Sequence, residues 1–142
     1  MRRTATTLGA ALIAATTMGD WVLADTLSDL RWDKRIVILF GTDQSRLDQQ
    51  ANAFLRDEAG LADRDMLVFA VVGDELRPIY GTVPSSETAA RLRDRFGVDA
   101  ATAYTAVLIG KDGGEKWRGS SPVPSAEIDG IVDAMPMRRS GG

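Results

Sequence analysis

The 142-residue sequence contains no cysteine and no histidine. Without cysteine the chain can form no disulfide bond, and it has no thiol for redox chemistry. Without either residue it cannot build the zinc sites that cysteine and histidine form, and it cannot build a Ser-His-Asp triad. Composition alone therefore excludes these thiol-, zinc- and histidine-dependent activities.

Positive charge is also scarce. Seventeen Lys and Arg stand against 20 Asp and Glu, which gives a formal net charge of −3 and a pI of about 4.9. Proteins that bind nucleic acid usually carry a basic stripe, and none is visible here, so we predict no nucleic-acid partner. The 44% hydrophobic and 26% charged residues are ordinary for a soluble globular domain with one core.

The N-terminus has the three parts of a secretory signal peptide. Two arginines at positions 2–3 precede a short apolar run at 8–15, and small side chains at 22–24 suit a cleavage site. The run is too short to cross a bilayer. We therefore predict a signal peptide at residues 1–24, no integral membrane segment after its removal, and a periplasmic or extracellular protein. General secretion is favoured over a twin-arginine signal because the residues after the arginine pair are not apolar; an uncleaved amphipathic helix is the alternative.

Three continuously apolar segments are typical of strands buried on both faces: residues 36–40, 66–72 and 104–110. Apolar side chains at helical spacing predict a helix from 43 to 59, and Gly60 suits the left-handed position after its end. Two strands joined by one helix form a βαβ unit, whose strands are parallel and whose crossover is right-handed. We expect this unit to frame the domain.

The other segments complete an α/β pattern. We predict a helix over 84–96, an edge strand over 115–118 and a last helix after it, whereas the proline within 76–80 indicates a loop or edge excursion. The order β-α-β-α-β-β-α predicts a sandwich with a four-stranded mixed sheet, in the order 2-1-3-4, and helices on both faces. We expect one domain over 25–139 and a disordered tail at 140–142.

This element order is the thioredoxin-like arrangement. Residues 36–45 resemble the strand-loop-helix that carries the active site of thioredoxins and peroxiredoxins, and "YTAVLIGKDGGEKW" at 104–117 resembles their later hairpin. A narrower resemblance rests on "LSDLRW", "RFGV", "LIGKDGGEK" and "IVDAMPMRR". These segments are similar to a bacterial secreted family of unknown function, whose thioredoxin-like, peroxiredoxin-related domain also occurs in vertebrate sushi-repeat and coiled-coil-domain extracellular-matrix proteins. The resemblance implies secretion and a thioredoxin-like fold, without a settled activity.

The same resemblance implies that redox chemistry has been lost. The paired cysteines of thioredoxins would fall near Thr42 and Ser45, and a peroxidatic cysteine would fall at Ser45. The cis-proline that precedes the third thioredoxin strand corresponds to Ala103 or Tyr104 and is missing. A serine hydroxyl needs an adjacent base to act as a nucleophile, and the chain has no histidine. We predict no catalytic residue and no cofactor.

Residues 41–45 also allow a binding hypothesis. Free amide groups at a helix start can hold an anion, with help from the helix dipole. Asp43 can instead satisfy those donors as a helix cap, which is the more frequent role of such a residue. A small-anion site, or an enzyme using Thr42 to Ser45, is therefore the alternative to the main hypothesis below.

Two further sets of side chains deserve a hypothesis. The acidic residues near strand ends lack the regular spacing of a calcium loop, so we predict no metal site; they are Asp63, Asp65, Asp74, Glu75 and Asp112. The aromatic residues at strand ends or edges can pack on the core or form an interaction surface; they are Trp32, Tyr80, Tyr104 and Trp117.

These observations lead to one main hypothesis. We expect a secreted or periplasmic thioredoxin-like domain without redox cysteines, acting as a non-catalytic binding or interaction module for an unidentified protein or small-molecule partner. Its candidate binding residues are Thr42, Asp43, Ser45, Tyr104 and Trp117.

Overall fold

The computed structural model of the protein describes residues 26–136. The predicted signal peptide at 1–24 and the predicted tail at 140–142 lie outside the described residues. Within 26–136, every helix is too short or too polar to cross a membrane.

The described chain contains a short 3₁₀ helix, Leu27–Leu30, followed by five strands and four α-helices. The strands are β1 (Arg35–Phe40), β2 (Met66–Val72), β3 (Glu75–Tyr80), β4 (Thr105–Ile109) and β5 (Glu115–Gly119). The α-helices are α1 (Gln44–Leu55), α2 (Glu58–Asp63), α3 (Ala89–Phe96) and α4 (Ser125–Asp133).

The strands form one mixed sheet in the order β3-β2-β1-β4-β5. β1 and β2 are parallel, and the other three neighbouring pairs are antiparallel. The four predicted strands occur in the predicted relative order, and helices cover both faces as expected. The prediction of a four-stranded sheet is wrong, because β3 adds a fifth strand at one edge.

β3 is the segment whose proline had indicated a loop or an edge excursion, and it forms an edge strand. Gly73, at φ +59°, helps to form the tight turn after which β3 pairs with β2. Pro78 lies opposite Phe69, directly beside a register shift in this pair. A proline lacks an amide donor but is tolerated on an edge strand or at a bulge, and β3 offers both.

The helix predicted over residues 43–59 is two helices, α1 and α2. Asp57 leaves the helical conformation, and its amide donates to the Phe54 carbonyl at 2.9 Å in a tighter turn. The Asp57 carboxylate accepts a hydrogen bond from the Ser125 hydroxyl at 2.9 Å. Gly60 consequently lies inside α2 and not beyond a helix end, so that part of the prediction is wrong.

The helix predicted over 84–96 begins later, at Ala89. Thr88 caps it, because its hydroxyl accepts a hydrogen bond from the Arg91 amide at 3.2 Å. Gly97 ends it in the left-handed conformation with φ +65°, as glycine does at many helix ends.

Side chains of β1 alternate between two cores, one on each face of the sheet. Ile36, Ile38 and Phe40 pack with the 3₁₀ helix and α3. Val37 and Leu39 pack with α1, α2 and α4. All six residues of β1 are buried, which explains why its sequence is apolar without alternation after Arg35.

Candidate functional site

The start of α1 is held against the segment that precedes β4. The Thr42 amide donates to the carbonyls of Thr102 and Ala103, each at 3.1 Å, and the Asp43 amide donates to the Ala103 carbonyl at 3.0 Å. A Cβ on Gly41 would collide with the Ala103 carbonyl oxygen, so this close approach requires glycine. Two of the amides expected to be available to an anion are therefore already occupied by carbonyls of the protein.

Asp43 is the cap of α1. Its Oδ1 accepts a hydrogen bond from the Arg46 amide at 3.2 Å, and its Oδ2 lies 3.3 Å from Nε of the Arg46 guanidinium. Thr42 and Ser45 are exposed. The structure thus brings the three polar candidates together at the end of β1, with the carboxylate facing the donors that an added anion would need.

Tyr104 belongs to a buried polar network. Its hydroxyl donates to Gln50 Oε1 at 2.9 Å, and the same oxygen accepts the Val123 amide at 2.8 Å. Gln50 Nε2 donates to the Val123 carbonyl at 2.9 Å. Burial raises the pKa of the Tyr104 hydroxyl above its ordinary value, which keeps it protonated as a donor. The network ties α1, the residue before β4 and the segment before α4 into one unit.

Sequence reasoning missed Gln50, although a signal was present. Gln50 lies on the inward face of α1 with Leu47 and Phe54, the two other buried residues of that helix. A polar residue within such an apolar stripe requires a hydrogen-bond partner in the fold. The sequence shows the stripe but does not identify Tyr104 and Val123 as those partners.

Trp117 is separate from the polar candidates. It lies on β5 opposite Leu108, which pairs in turn with Val37 near the beginning of β1. Its half-buried ring packs on the core that faces α1 and α4 and covers Gly119. The structure therefore does not bring Trp117 together with Thr42, and the ring covers the sheet as well as its own edge strand.

The acidic residues considered for calcium are mostly paired with cations. Lys111 Nζ lies 2.8 Å from Asp65, and this hydrogen bond lowers the pKa of that carboxyl. Lys116 Nζ lies 2.8 Å from Asp112 and lowers its pKa likewise. Within residues 26–136 no group of three or more acidic side chains is arranged to hold a metal ion.

A carboxyl pair joins the α1–α2 junction to α4. Asp57 and Asp129 share a hydrogen bond, and Arg64 Nε lies 3.7 Å from Asp129. Burial, followed by that hydrogen bond, raises the pKa of Asp129 from 3.8 to about 6. The hydrogen bond from Asp129 is the main reason that the pKa of Asp57 is lowered. No local pattern indicates this pair, because its members are distant in the chain.

A cavity of about 280 Å³ lies at the other end of β1 from the Thr42 region. Its walls come from the segment before β1, the start of β1, the β4–β5 turn, β5 and the residues just after α4. The lining residues are Trp32, Arg35, Gly110, Lys111, Asp112, Lys116, Met135 and Pro136. We call it the Trp32 cavity. None of the candidate binding residues taken from the sequence lines it.

The comparisons with known proteins identify a family but no activity. No curated protein and no solved structure matches the chain. One family matches, over residues 26–141, and these residues include the sheet, both cores and the Trp32 cavity. The chain therefore belongs to the family described as Domain of unknown function (DUF4174).

Proposed function

We propose that this protein is a secreted or periplasmic thioredoxin-like domain that acts by binding and has no thiol chemistry of its own. We also propose, from the sequence resemblance, that its relatives include bacterial secreted proteins and vertebrate extracellular-matrix proteins. A mixed sheet with helices on both faces supports its thioredoxin-like part. A fold of this kind hosts many functions, so the activity must be argued from the site.

The main support for the proposal is that the polar groups at the start of α1 are already engaged within the protein. Thr42 and Ser45 occupy the positions that the resemblance assigns to thiols. The amides of Thr42 and Asp43 already donate to backbone carbonyls, and the Asp43 carboxylate is used as the cap. Nucleophilic catalysis by Ser45 would need a base beside it, and the only carboxylate of this loop is engaged with Arg46. The local chemistry therefore favours a structural role for this loop over a catalytic one.

Turnover assays test the non-catalytic part of the proposal. We expect the full-length protein to show no reduction of disulfides or peroxides and no ester hydrolysis above the buffer rate. Ser45→Ala and Thr42→Val serve as matched variants, since both side chains are exposed. Turnover that disappears in Ser45→Ala would overturn the proposal and establish the enzyme alternative.

A thermal-shift screen tests the binding part. A ligand at about a hundred times its dissociation constant stabilises the folded state by roughly 2.7 kcal/mol. We expect such shifts from small organic ligands to persist in the Ser45→Ala and Thr42→Val variants. If an anion raises the thermal midpoint of the wild-type protein but of neither variant, its binding site is at the α1 start, as in the small-anion alternative.

Export can be tested directly. We expect residues 1–24, fused to a reporter enzyme that is active only after export, to give activity in a Gram-negative host. Mass spectrometry of the exported full-length protein is expected to find Asp25 at the new N-terminus. A reporter that stays inactive would contradict the secreted location, independently of the binding assays.

A further inference from the structure

We propose that the Trp32 cavity is a binding site for small organic anions that carry an aromatic or similarly planar apolar body. This inference rests on the proposed function, because it names the place where a non-catalytic domain would bind. It differs from the small-anion alternative, since the cavity lies at the opposite end of β1 from Thr42.

The charged side chains that line the cavity are mainly cationic. Arg35, Lys111 and Lys116 line the cavity, against a single lining carboxylate from Asp112. Lys111 is paired with Asp65 and Lys116 with Asp112, each at 2.8 Å. The whole chain, in contrast, has a formal net charge of −3. A locally cationic cavity in an acidic protein favours anions over cations or neutral molecules.

Another part of the wall is apolar. The Trp32 side chain is 58% exposed, which is the largest exposure among the large hydrophobic residues of the described chain. Met135 and Pro136 supply further apolar surface. An exposed indole gains free energy when a planar apolar group covers it, and its ring stacks well on another ring. The ligand that fits both parts of the wall carries a ring and a negative charge.

Two residues at the cavity have an unfavourable backbone conformation. Among residues 26–136, Trp32 and Asp65 are the only non-glycine residues with a positive φ, at +72° and +53°. Trp32 is itself a wall of the cavity, and Asp65 holds the wall residue Lys111 at 2.8 Å. A bulky residue at positive φ is unfavourable, and such strain persists where the surrounding structure imposes it, commonly at functional sites.

The walls are also fixed in place. The Trp32 amide donates to the Lys111 carbonyl at 2.6 Å, which ties the segment before β1 to the β4–β5 turn. The Arg35 side chain is buried, and its Nη1 donates to the Arg64 carbonyl at 2.9 Å. The Lys111 side chain is only 10% exposed. The Arg35 and Lys111 side chains are therefore held before a ligand binds, and they lose little conformational entropy on binding.

The volume sets the size of the ligand. At roughly 30 Å³ for each water molecule, 280 Å³ corresponds to about nine waters. A ligand of about ten heavy atoms therefore fits, and benzoate is a suitable probe. Ligands of this size bind with dissociation constants on the order of 1 mM.

The test is a titration of the ¹⁵N-labelled full-length chain with benzoate, followed by the indole N–H resonances. We expect a saturable shift of the Trp32 indole, whereas the Trp117 indole, which does not line the cavity, serves as the internal reference. Benzamide keeps the ring without the charge, and acetate keeps the charge without the ring. Each is expected to bind at least about fivefold more weakly than benzoate, since each loses one of the two contacts.

Two matched variants test how much the charge of Lys116 contributes to benzoate binding. Lys116→Gln removes a cavity cation paired with Asp112 at 2.8 Å, and Arg77→Gln removes a cation paired with Glu75 at 2.8 Å on β3, at the opposite edge of the sheet. Both ion pairs are at the surface, so neither substitution is expected to affect folding strongly. We expect Lys116→Gln to weaken benzoate binding by about three- to tenfold and Arg77→Gln to leave it within twofold.

Several results would overturn the inference. They are the lack of a saturable Trp32 shift at about 20 mM benzoate, equal binding of benzamide, and equal effects of Lys116→Gln and Arg77→Gln. The variant Trp32→Asn tests whether benzoate binding depends on the indole. It removes the indole, and asparagine tolerates the positive φ of this position. Benzoate shifts of the Gly110 and Lys111 amides that remain at full affinity in this variant would also refute the site. If benzoate fails to bind while turnover assays stay negative, only this inference fails; turnover would refute the proposed function itself.

Discussion

The substitution Asp129→Asn should stabilise the protein at neutral pH, by about half as much near pH 5, and have little effect below about pH 4. Asp129 lies on α4 and shares a hydrogen bond with Asp57 at the α1–α2 junction. Its side chain is only 18% exposed, and the Arg64 Nε is 3.7 Å away. When both carboxylates are ionised, two negative charges are held together in a partly buried place with one shared cation. Asparagine removes one of these charges and can still donate a hydrogen bond to Asp57.

The magnitude follows from the pKa. The pKa of Asp129 is raised from 3.8 to about 6, and a difference of about two pH units corresponds to roughly 3 kcal/mol. The folded protein retains a proton that the unfolded chain releases, so the free energy of unfolding falls as pH rises from about 4 to about 6, then stays low. The lowered pKa of Asp57 acts at lower pH, where its contribution is lost as that carboxylate is protonated. Solvent screening and the nearby Arg64 cation reduce the penalty of the ionised carboxylate. We therefore expect Asp129→Asn to raise the free energy of unfolding by about 1–2 kcal/mol at pH 8.

Urea unfolding at pH 5 and pH 8, followed by circular dichroism, measures this effect. Asp133→Asn is the matched control, because Asp133 lies one turn further along α4 and its Oδ2 pairs with Arg64 Nη2 at 3.0 Å. The control should lower stability at both pH values. The reasoning is refuted if Asp129→Asn is neutral or destabilising at pH 8, or if its effect does not change between the two pH values.

Three further substitutions test the packing around α1. Tyr104→Phe should cost about 1 kcal/mol in urea unfolding, because it removes the hydrogen bond to Gln50 but leaves the Val123 amide bound to Gln50; a neutral result would contradict a structural role for this hydroxyl. Asp43→Ala should cost about 1 kcal/mol through loss of the cap, whereas an anion site there would instead show a gain in anion affinity with little loss of stability. Gly41→Ala should lower the free energy of unfolding most, by at least about 2 kcal/mol, because the added Cβ meets a backbone carbonyl that cannot move aside; an unchanged urea midpoint would disprove the close approach.

Local sequence was enough to predict most of the sheet. β1, β2 and β4 are continuous apolar segments, and a strand buried between two layers of helices must be apolar on both faces. The predicted end of a helix at residue 96 agrees with α3, because the following Gly97 enters the left-handed conformation at little cost. The cap at Asp43 was likewise readable, since its side chain acts within its own helix.

The errors arose where a distant contact changed a local preference. Pro78 argued against a central strand and left a loop or an edge excursion open, and β3 forms as an edge strand because β2 offers an edge on which a proline is tolerated. The apolar spacing of residues 43–59 predicted one helix, yet the helix is interrupted at Asp57, which accepts a hydrogen bond from Ser125. Neither partner can be identified from the neighbouring residues.

By itself, the sequence determined the α/β class, the covering of both sheet faces and the exclusion of cysteine and histidine chemistry, because these depend on composition and on periodicity within single segments. Only the tertiary structure decided which polar groups meet. Gln50 and Tyr104 are 54 residues apart in the chain, and the walls of the Trp32 cavity extend from Trp32 to Pro136. Such groups become neighbours only when the sheet places β1 beside β4 and the last helix packs against it, and this arrangement has no local signature.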